Sequence, residues 1–227
     1  MSDLQKLQNQ IKNKLLSNVI EGVNRFPQPS PHFFETLNVI QQNSFNPISK
    51  CNLCSLASKR KRVVVENHIV SKSFFVLSDF PDSFDESFEG VFAPQSPLSS
   101  IVLNLLNKLG IIEDCHFSFA IKCVPEKGLP NAVLKTCASQ NLSKELVEVK
   151  PKCVLCFGHR AFQALGQIDQ NLNYFKYLEN TGFAEIFIEG AQIKVFFLSS
   201  IRDLRDYPLW RHDVWNVLKT LSNKSSY

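Results

Sequence analysis

Glycine is scarce in this chain of 227 residues, with eight in all, about half of the usual share of ~7%. Neither G-x-G-x-x-G nor G-x-x-x-x-G-K-[ST] occurs, which excludes the standard glycine-rich loops that hold phosphates. Long apolar runs are missing too, because stretches such as 195–198 are far shorter than the ~18 residues of a membrane-spanning helix. Residues 1–25 lack the unbroken apolar core of a signal peptide. We therefore expect a cytoplasmic protein without a membrane segment.

Strong charge of one sign is also lacking. The chain has 25 Lys and Arg against 21 Asp and Glu, a formal net charge of +4. The one concentrated basic run is Lys59-Arg60-Lys61-Arg62. On its own, such a run is typical of a solvated turn.

Apolar spacing divides the chain in two. Helical periodicity over 3–24 and 33–42 predicts an N-terminal helical extension spanning residues 1–49. From residue 50 onward, short apolar strands alternate with helical patterns. Strands are predicted at 74–77, 117–122, 154–157, 185–189 and 193–198, and helices at 97–109, 133–149, 159–165 and 209–221. This alternation predicts an α/β fold with a parallel sheet covered on both faces.

Ligands in such sheets bind at the carboxyl ends of the strands. The predicted ends are Ser78-Asp79, Lys122-Cys123, Phe157-Gly158 and Leu198-Ser199-Ser200. We therefore expect the functional site where these four segments meet.

Seven cysteines, an odd number, do not fit complete pairing in disulfides, and a reducing cytoplasm keeps thiols free. Cys51 and Cys54 have the two-residue spacing that brings two thiolates to one metal. Two pairs could complete a four-thiolate site: Cys153 with Cys156, or Cys123 with Cys137. Four thiolates suit either a [4Fe-4S] cluster or Zn²⁺.

Position on the predicted elements separates the two pairs in part. Cys153 and Cys156 stand three apart on an apolar strand, so they face opposite sides and read more simply as core residues. Cys123 ends a strand and Cys137 lies early on the next helix, so both could converge on the Cys51–Cys54 turn. Cys115 is expected to be an ordinary packed residue.

The order of these segments resembles that of the iron–sulfur uracil-DNA glycosylases, family 4 and its relatives. The matching segments are Cys51-x-x-Cys54, Lys122-Cys123-x-Pro125, Cys137 on a helix, and Lys150-Pro151 followed by Gly158-x-x-Ala161. The resemblance covers about residues 49–221. It implies a three-layer α/β/α sandwich on a short, mostly parallel sheet in residues 50–227. It also implies a [4Fe-4S] cluster, with zinc as the alternative, held by Cys51, Cys54, Cys123 and Cys137.

The catalytic motifs depart from those of the family. G-E-A-P-G becomes Ser78-Asp79-Phe80-Pro81-Asp82, so the acid persists as the shorter Asp79 and both glycines are replaced. The Asn that reads the base edge corresponds to Phe119, and phenylalanine offers neither donor nor acceptor. The His-Pro-Ser loop reads Leu198-Ser199-Ser200, without its histidine.

The resemblance nevertheless implies a role for each remaining group. Asp79 is the expected catalytic acid that orients water. Phe92, within Gly90-Val91-Phe92-Ala93-Pro94, corresponds to the phenylalanine that stacks on a flipped base. The other expected base-site residues are Phe119, Ser199 and Ser200, and the expected DNA contacts are Lys59, Arg60, Lys61, Arg62 and Arg202.

Two functions follow as hypotheses. The first is a DNA glycosylase of base-excision repair that hydrolyses the N-glycosidic bond of a flipped, damaged base other than plain uracil. The second is a catalytically degenerate relative that binds DNA or a protein partner, with the N-terminal helices as the docking element. Loss of the base-reading groups favours the second, whereas the cysteine framework is compatible with both.

Overall fold

The computed structural model of the chain describes residues 47–125, 130–172 and 183–222. The α/β fold predicted for this part of the chain is confirmed. The helices predicted at 3–24 and 33–42 lie outside the described residues, so the N-terminal extension stays a prediction.

The described strands form one five-stranded sheet in the order β2-β1-β3-β5-β4. Their bounds are β1 Phe74–Ser78, β2 Cys115–Phe119, β3 Cys153–Phe157, β4 Ala184–Ile188 and β5 Ala191–Leu198. Strands β2, β1, β3 and β5 run parallel, and β4 pairs antiparallel with β5. The last two predicted strands, 185–189 and 193–198, thus form a hairpin around Gly190 at one side of a mostly parallel sheet.

Helices follow the strands as the periodicity predicts. The α-helices are α1 Ser83–Ser87, α2 Ser99–Lys108, α3 Asn131–Cys137, α4 Ser143–Val149, α5 His159–Ile168, α6 Ile201–Asp206 and α7 Trp210–Ser222. A π-helical turn, Ala138–Leu142, joins α3 to α4. Short 3₁₀ turns occupy Pro47–Lys50, Ser55–Ser58 and Ile112–Asp114.

Two apolar clusters lie on opposite faces of the sheet. One packs Phe75 and Leu77 against the helical stretch 133–149 and α5. The other packs Val76 against α2, α6 and α7. Because successive strand residues point to opposite faces, continuous apolar strands supply both clusters, and the sandwich has three layers.

Two predicted boundaries were wrong. The strand predicted over 117–122 is β2, which ends at Phe119, so Lys122 lies beyond the sheet with its side chain buried. The helix predicted to stop at Gly166 continues to Ile168, since an isolated glycine weakens a helix by only about 1 kcal/mol.

Candidate functional site

The carboxyl ends of the parallel strands meet at one edge of the sheet, hereafter the carboxyl edge. In the strand register, Ser78 stands opposite both Phe119 and Phe157, and Phe157 stands opposite Leu198. The Gly158 N–H donates to the Leu198 carbonyl at 3.0 Å. The structure therefore brings together the ends of β1, β3 and β5 as expected, with Phe119 as the end of β2.

Asp79, the expected catalytic acid, lies at this edge directly after β1. Its Oδ1 accepts the backbone N–H of Ala161 at 2.9 Å, in the first turn of α5, where the helix dipole favours negative charge. Gly158 precedes that helix with φ +104°, and a Cβ at this position would lie 2.5 Å from both Asp79 carboxylate oxygens. Glycine is thus required for the carboxylate to approach the helix.

Burial raises the pKa of Asp79 above its usual value, because desolvation disfavours the ionised form. The backbone N–H groups of Ala161 and Arg160, and the positive charges of Arg202 and His159, oppose this rise. The carboxyl is 9% exposed. A buried acid with a perturbed pKa at the ligand-binding edge is the usual signature of a functional residue.

Arg202, an expected DNA contact, faces this acid. Its guanidinium lies 4.0 Å from the centre of the Phe80 ring and within electrostatic range of Asp79 and Asp82. Burial lowers the pKa of Arg202, and the two carboxylates oppose that change. Arg202 therefore compensates the negative charges of Asp79 and Asp82 at the carboxyl edge. Its DNA contact stays a prediction.

An aromatic wall borders the same edge. The Phe92 ring centre lies 4.8 Å from that of Phe119 and 5.2 Å from that of Phe117. Phe92 is 5% exposed and Phe119 is 2% exposed. The two residues expected to contact the base are thus packed against each other, and neither side chain carries a hydrogen-bonding group.

Ser199 and Ser200 follow β5 at the carboxyl edge. Ser200 Oγ caps α6 by accepting the Asp203 N–H at 3.1 Å, and it donates to Asp203 Oδ2 at 2.6 Å. Ser199 is half-buried. The Ser200 hydroxyl therefore holds the start of α6, and both serines remain predicted base-site residues.

The loop after Asp79 is held by a capping box that sequence reasoning missed. Asp82 accepts the N–H groups of Phe84 at 2.8 Å and Asp85 at 3.0 Å, and Asp85 Oδ2 accepts the Asp82 N–H at 3.0 Å. Asp85 also accepts the Ala93 N–H and the Ser99 hydroxyl, each at 2.8 Å. An Asp-x-x-Asp spacing before a short helix is the signal that would have indicated it.

The basic run next to the first cysteine pair contains two arginines that bond to the protein itself and two exposed lysines. Arg62 donates to the carbonyls of Glu86 at 3.1 Å, Asp85 at 3.0 Å and Gly90. Arg60 donates to the Cys51 carbonyl. These two guanidinium groups stabilise loops of the protein itself. The exposed side chains of the run are Lys59 and Lys61, and the DNA contacts expected of the run stay predictions.

Four cysteine side chains share one side of the molecule, all in the same apolar cluster: Cys51, Cys54, Cys123 and Cys137. Burial raises the pKa of Cys123 to about 12, and Cys137, Cys54 and Cys51 contribute to the rise because they lie within electrostatic range. The structure thus places the second of the two alternative sets together. We call this group the cysteine cluster.

The donor chemistry of the cysteine cluster fits a thiolate-bound metal centre. It contains four sulfur donors, and iron–sulfur clusters are held by four such thiolates. Within the part of the chain that the structure describes, no three Cys, His, Asp or Glu side chains are spaced to hold one metal ion. A cluster of several irons fills a wider space than one ion, so its thiolates stand further apart.

The other three cysteines are packed, as predicted. Cys156 is buried in the apolar cluster that contains Phe75 and Leu77, on one face of the sheet. Cys153 and Cys115 are buried on the opposite face. Burial raises the pKa values of Cys115 and Cys153 to about 12, which keeps them as unreactive thiols at neutral pH.

A buried ion pair lies behind the cysteine cluster. The Lys122 ammonium contacts Glu145 Oε2 and Ser118 Oγ, and the Ser118 hydroxyl donates to Glu145 Oε2 at 2.8 Å. Lys122 and Glu145 are each 1% exposed. Sequence reasoning placed Lys122 beside Cys123 without its partner, because Glu145 is 23 residues further along the chain.

A parallel sheet with an acid and an aromatic wall at its carboxyl edge, and four cysteines beside it, defines an α/β protein with a ligand site at the strand ends. Comparison with protein families gives the match: the uracil DNA glycosylase superfamily over residues 71–219. The chain belongs to this superfamily. A comparison with curated proteins finds no match.

Across the described residues, no helix combines the length and the apolar character needed to cross a membrane.

Proposed function

We propose that this protein is an iron–sulfur DNA glycosylase of base-excision repair that hydrolyses the N-glycosidic bond of a flipped, damaged base. Membership of the superfamily supports glycosylase-like action on DNA. The observation that carries the proposal is the Asp79 carboxyl, which is buried at the carboxyl edge beside Arg202. In this reaction a water oxygen bonds to the anomeric carbon, the C–N bond breaks with its electron pair leaving on the base, and the proton that the water releases ends on the departing base.

Asp79 would orient the attacking water and stabilise the positive charge that develops on the sugar. The Ala161 N–H, in the first turn of α5, holds the carboxylate in place. A fixed carboxylate requires no reorganisation as charge develops, which is how preorganised groups lower a barrier. The positive charge of Arg202 opposes the rise that burial causes in the pKa of Asp79.

The substrate would be a base recognised by stacking and shape, and uracil fits poorly. Phe119 and Phe92 present an apolar wall, and neither can pair with the polar edge of uracil. A site without a hydrogen-bonding partner loses most discrimination based on that edge. A modified base whose recognised edge is apolar matches this wall better.

The metal centre would be a [4Fe-4S] cluster held by Cys51, Cys54, Cys123 and Cys137. When bound, it would supply a cross-link that joins the Cys51–Cys54 turn to the segment that follows β2 and to α3. Zinc is the alternative metal, since four thiolates also bind Zn²⁺. Four irons per chain with broad visible absorbance would support the cluster, and a colourless zinc protein would contradict it.

An excision assay tests the enzymatic proposal. Labelled duplexes that carry deaminated, alkylated or oxidised bases are incubated with the wild type and with Asp79→Asn. This substitution keeps an oxygen for the Ala161 N–H but removes the charge. We expect excision of at least one lesion and a loss of about 10²-fold or more with Asp79→Asn. Asp213→Asn, an exposed position on α7, should leave excision unchanged.

A second function is favoured by one observation: the Asp79 oxygen that would meet water already accepts a helix N–H. A catalytically degenerate relative that binds DNA or a protein partner would use Asp79 only as a cap for α5. It would bind duplex DNA with a marked salt dependence and excise no lesion of the panel. Excision that depends on Asp79 would contradict this alternative.

A further inference from the structure

The helical stretch from Asn131 to Val149 is interrupted by the π-helical turn Ala138–Leu142. Such turns are rare and occur frequently at functional sites. This one follows directly after Cys137 and carries Asn141, whose side chain is 5% exposed. An amide buried among apolar groups is costly unless it is hydrogen-bonded, so its partners indicate its role.

Those partners are two cysteines of the cysteine cluster. Asn141 Nδ2 lies 3.3 Å from Cys51 Sγ and 3.6 Å from Cys137 Sγ. An amide nitrogen carries two N–H donors, enough for both sulfurs. Cys51 is 90 residues away in the chain, so this amide bridges two distant segments.

Cys137 receives a second donor from the other side. The backbone N–H of Lys122 donates to the Cys137 sulfur, and the Lys122 ammonium is within electrostatic range of it. Cys137 therefore has two N–H donors beside its sulfur, one from the Asn141 amide and one from the Lys122 backbone. The Cys51 sulfur shares the Asn141 donor.

We propose that Asn141 is a positioning residue that ties Cys51 to Cys137 and retains the metal cluster bound by the four cysteines. The inference rests on the metal centre proposed above and does not depend on excision activity. Groups that orient metal ligands typically contribute 10–100-fold to metal affinity. Hydrogen bonds to the sulfurs also influence the reduction potential of iron–sulfur clusters.

The test compares Asn141→Leu with Gln140→Leu in the full chain. Both replace an amide by leucine within the same π-helical turn, but Gln140 is exposed. We expect Asn141→Leu to lose iron to a chelator at least about tenfold faster than Gln140→Leu. The midpoint potential of the remaining cluster should shift to more negative values, because the lost donor stabilised the more negative, reduced state.

Asn141→Asp supplies a second variant of nearly the same shape in case the leucine variant does not fold. An ionised carboxylate cannot donate to sulfur, so faster iron loss is expected here as well. Equal iron retention and equal potential in the Asn141 and Gln140 variants would overturn the proposal. A wild type without bound metal would overturn the cluster itself, and with it this role of Asn141. Failure of the excision assay alone would leave iron content and potential to decide.

Discussion

The cysteine cluster and the carboxyl edge differ in the partners to which their polar groups form hydrogen bonds. Around the cysteines, the Asn141 amide and the Lys122 N–H both donate toward sulfur. At the carboxyl edge, the Asp79 carboxylate accepts from Ala161, and the Ser200 hydroxyl pairs with Asp203. In the cysteine cluster the Asn141 amide donates to two sulfur atoms. At the carboxyl edge, Asp79 and Ser200 instead bond to groups of helices α5 and α6.

This difference explains why the two regions constrain function unequally. A thiolate site is defined by residue type and spacing, so four cysteines brought together suit a small set of thiolate-binding metals. A base pocket is defined by a particular pattern of donors and acceptors. Phe119 offers no donor or acceptor to a base, and its ring packs against Phe92. The superfamily match therefore fixes the fold more firmly than it fixes the base that the site would recognise.

The largest expected effect concerns the ion pair behind the cysteine cluster. Lys122→Met leaves the Glu145 carboxylate buried without its cation, and its Oε1 already has no hydrogen-bond partner among the described residues. Breaking a buried pair from one side typically costs 3–5 kcal/mol. We expect a loss of roughly 4 kcal/mol in the free energy of unfolding, measured with urea.

The double variant Lys122→Met with Glu145→Leu separates charge from packing. Apolar replacement of both partners is often neutral, so the double variant should recover most of the stability that the single variant loses. A single variant within about 1 kcal/mol of the wild type would show that water reaches this pair, and the two regions would then differ less than their contacts indicate.

The next effect concerns the position of Asp79 at the carboxyl edge. Gly158→Ala places a Cβ 2.5 Å from both Asp79 oxygens, at a φ of +104° that side chains rarely adopt. Backbone strain of this kind costs about 1–3 kcal/mol, and displacement of Asp79 from the start of α5 adds to it. We expect the free energy of unfolding to fall by at least about 2 kcal/mol, with loss of any Asp79-dependent excision.

Gly166→Ala is the matched control for that change. Gly166 lies within α5, and a Cβ there meets no atom of the described residues within 4 Å. Alanine in a helix interior is favoured over glycine by about 0.5–1 kcal/mol, so this variant should be slightly more stable than the wild type. Equal effects at the two glycines would contradict the close approach of Asp79 to α5.

Much of this architecture follows from local pattern. Strands β1 and β3 are continuous apolar runs buried on both faces, and such runs predict central parallel strands. The register then brings the predicted strand ends together without further information. The end of β2 was wrong because Ala120 and Ile121 extend the apolar run beyond Phe119, although the chain has already left the sheet there.

The contacts within each region depend on pairs far apart in sequence. Asn141 bridges to Cys51 over 90 residues, and Arg62 reaches the Gly90 carbonyl over 28 residues. No local pattern indicates that an asparagine in a polar helix segment faces sulfur, or that one arginine of a basic run turns inward. Residue type and spacing predict four cysteine ligands, whereas the asparagine that lies against two of them is found only in the fold.

The smallest effect is the pH dependence of the free energy of unfolding, which should distinguish the buried Asp79 from the exposed Asp213. Burial raises the pKa of Asp79, so the folded state binds its proton more tightly than the unfolded state, whose aspartate titrates near 3.9. The stabilisation from the protonated carboxyl is complete below that unfolded value and is lost as the pH rises through the raised folded pKa. Asp79→Asn lacks this titration. Its stability should therefore rise relative to that of the wild type between about pH 3 and pH 7, measured by urea unfolding.

Asp213→Asn, at an exposed position, should follow the wild type in parallel. A difference that stays constant with pH, or runs the other way, would mean that the α5 N–H groups and Arg202 outweigh the burial of Asp79 and stabilise its ionised form.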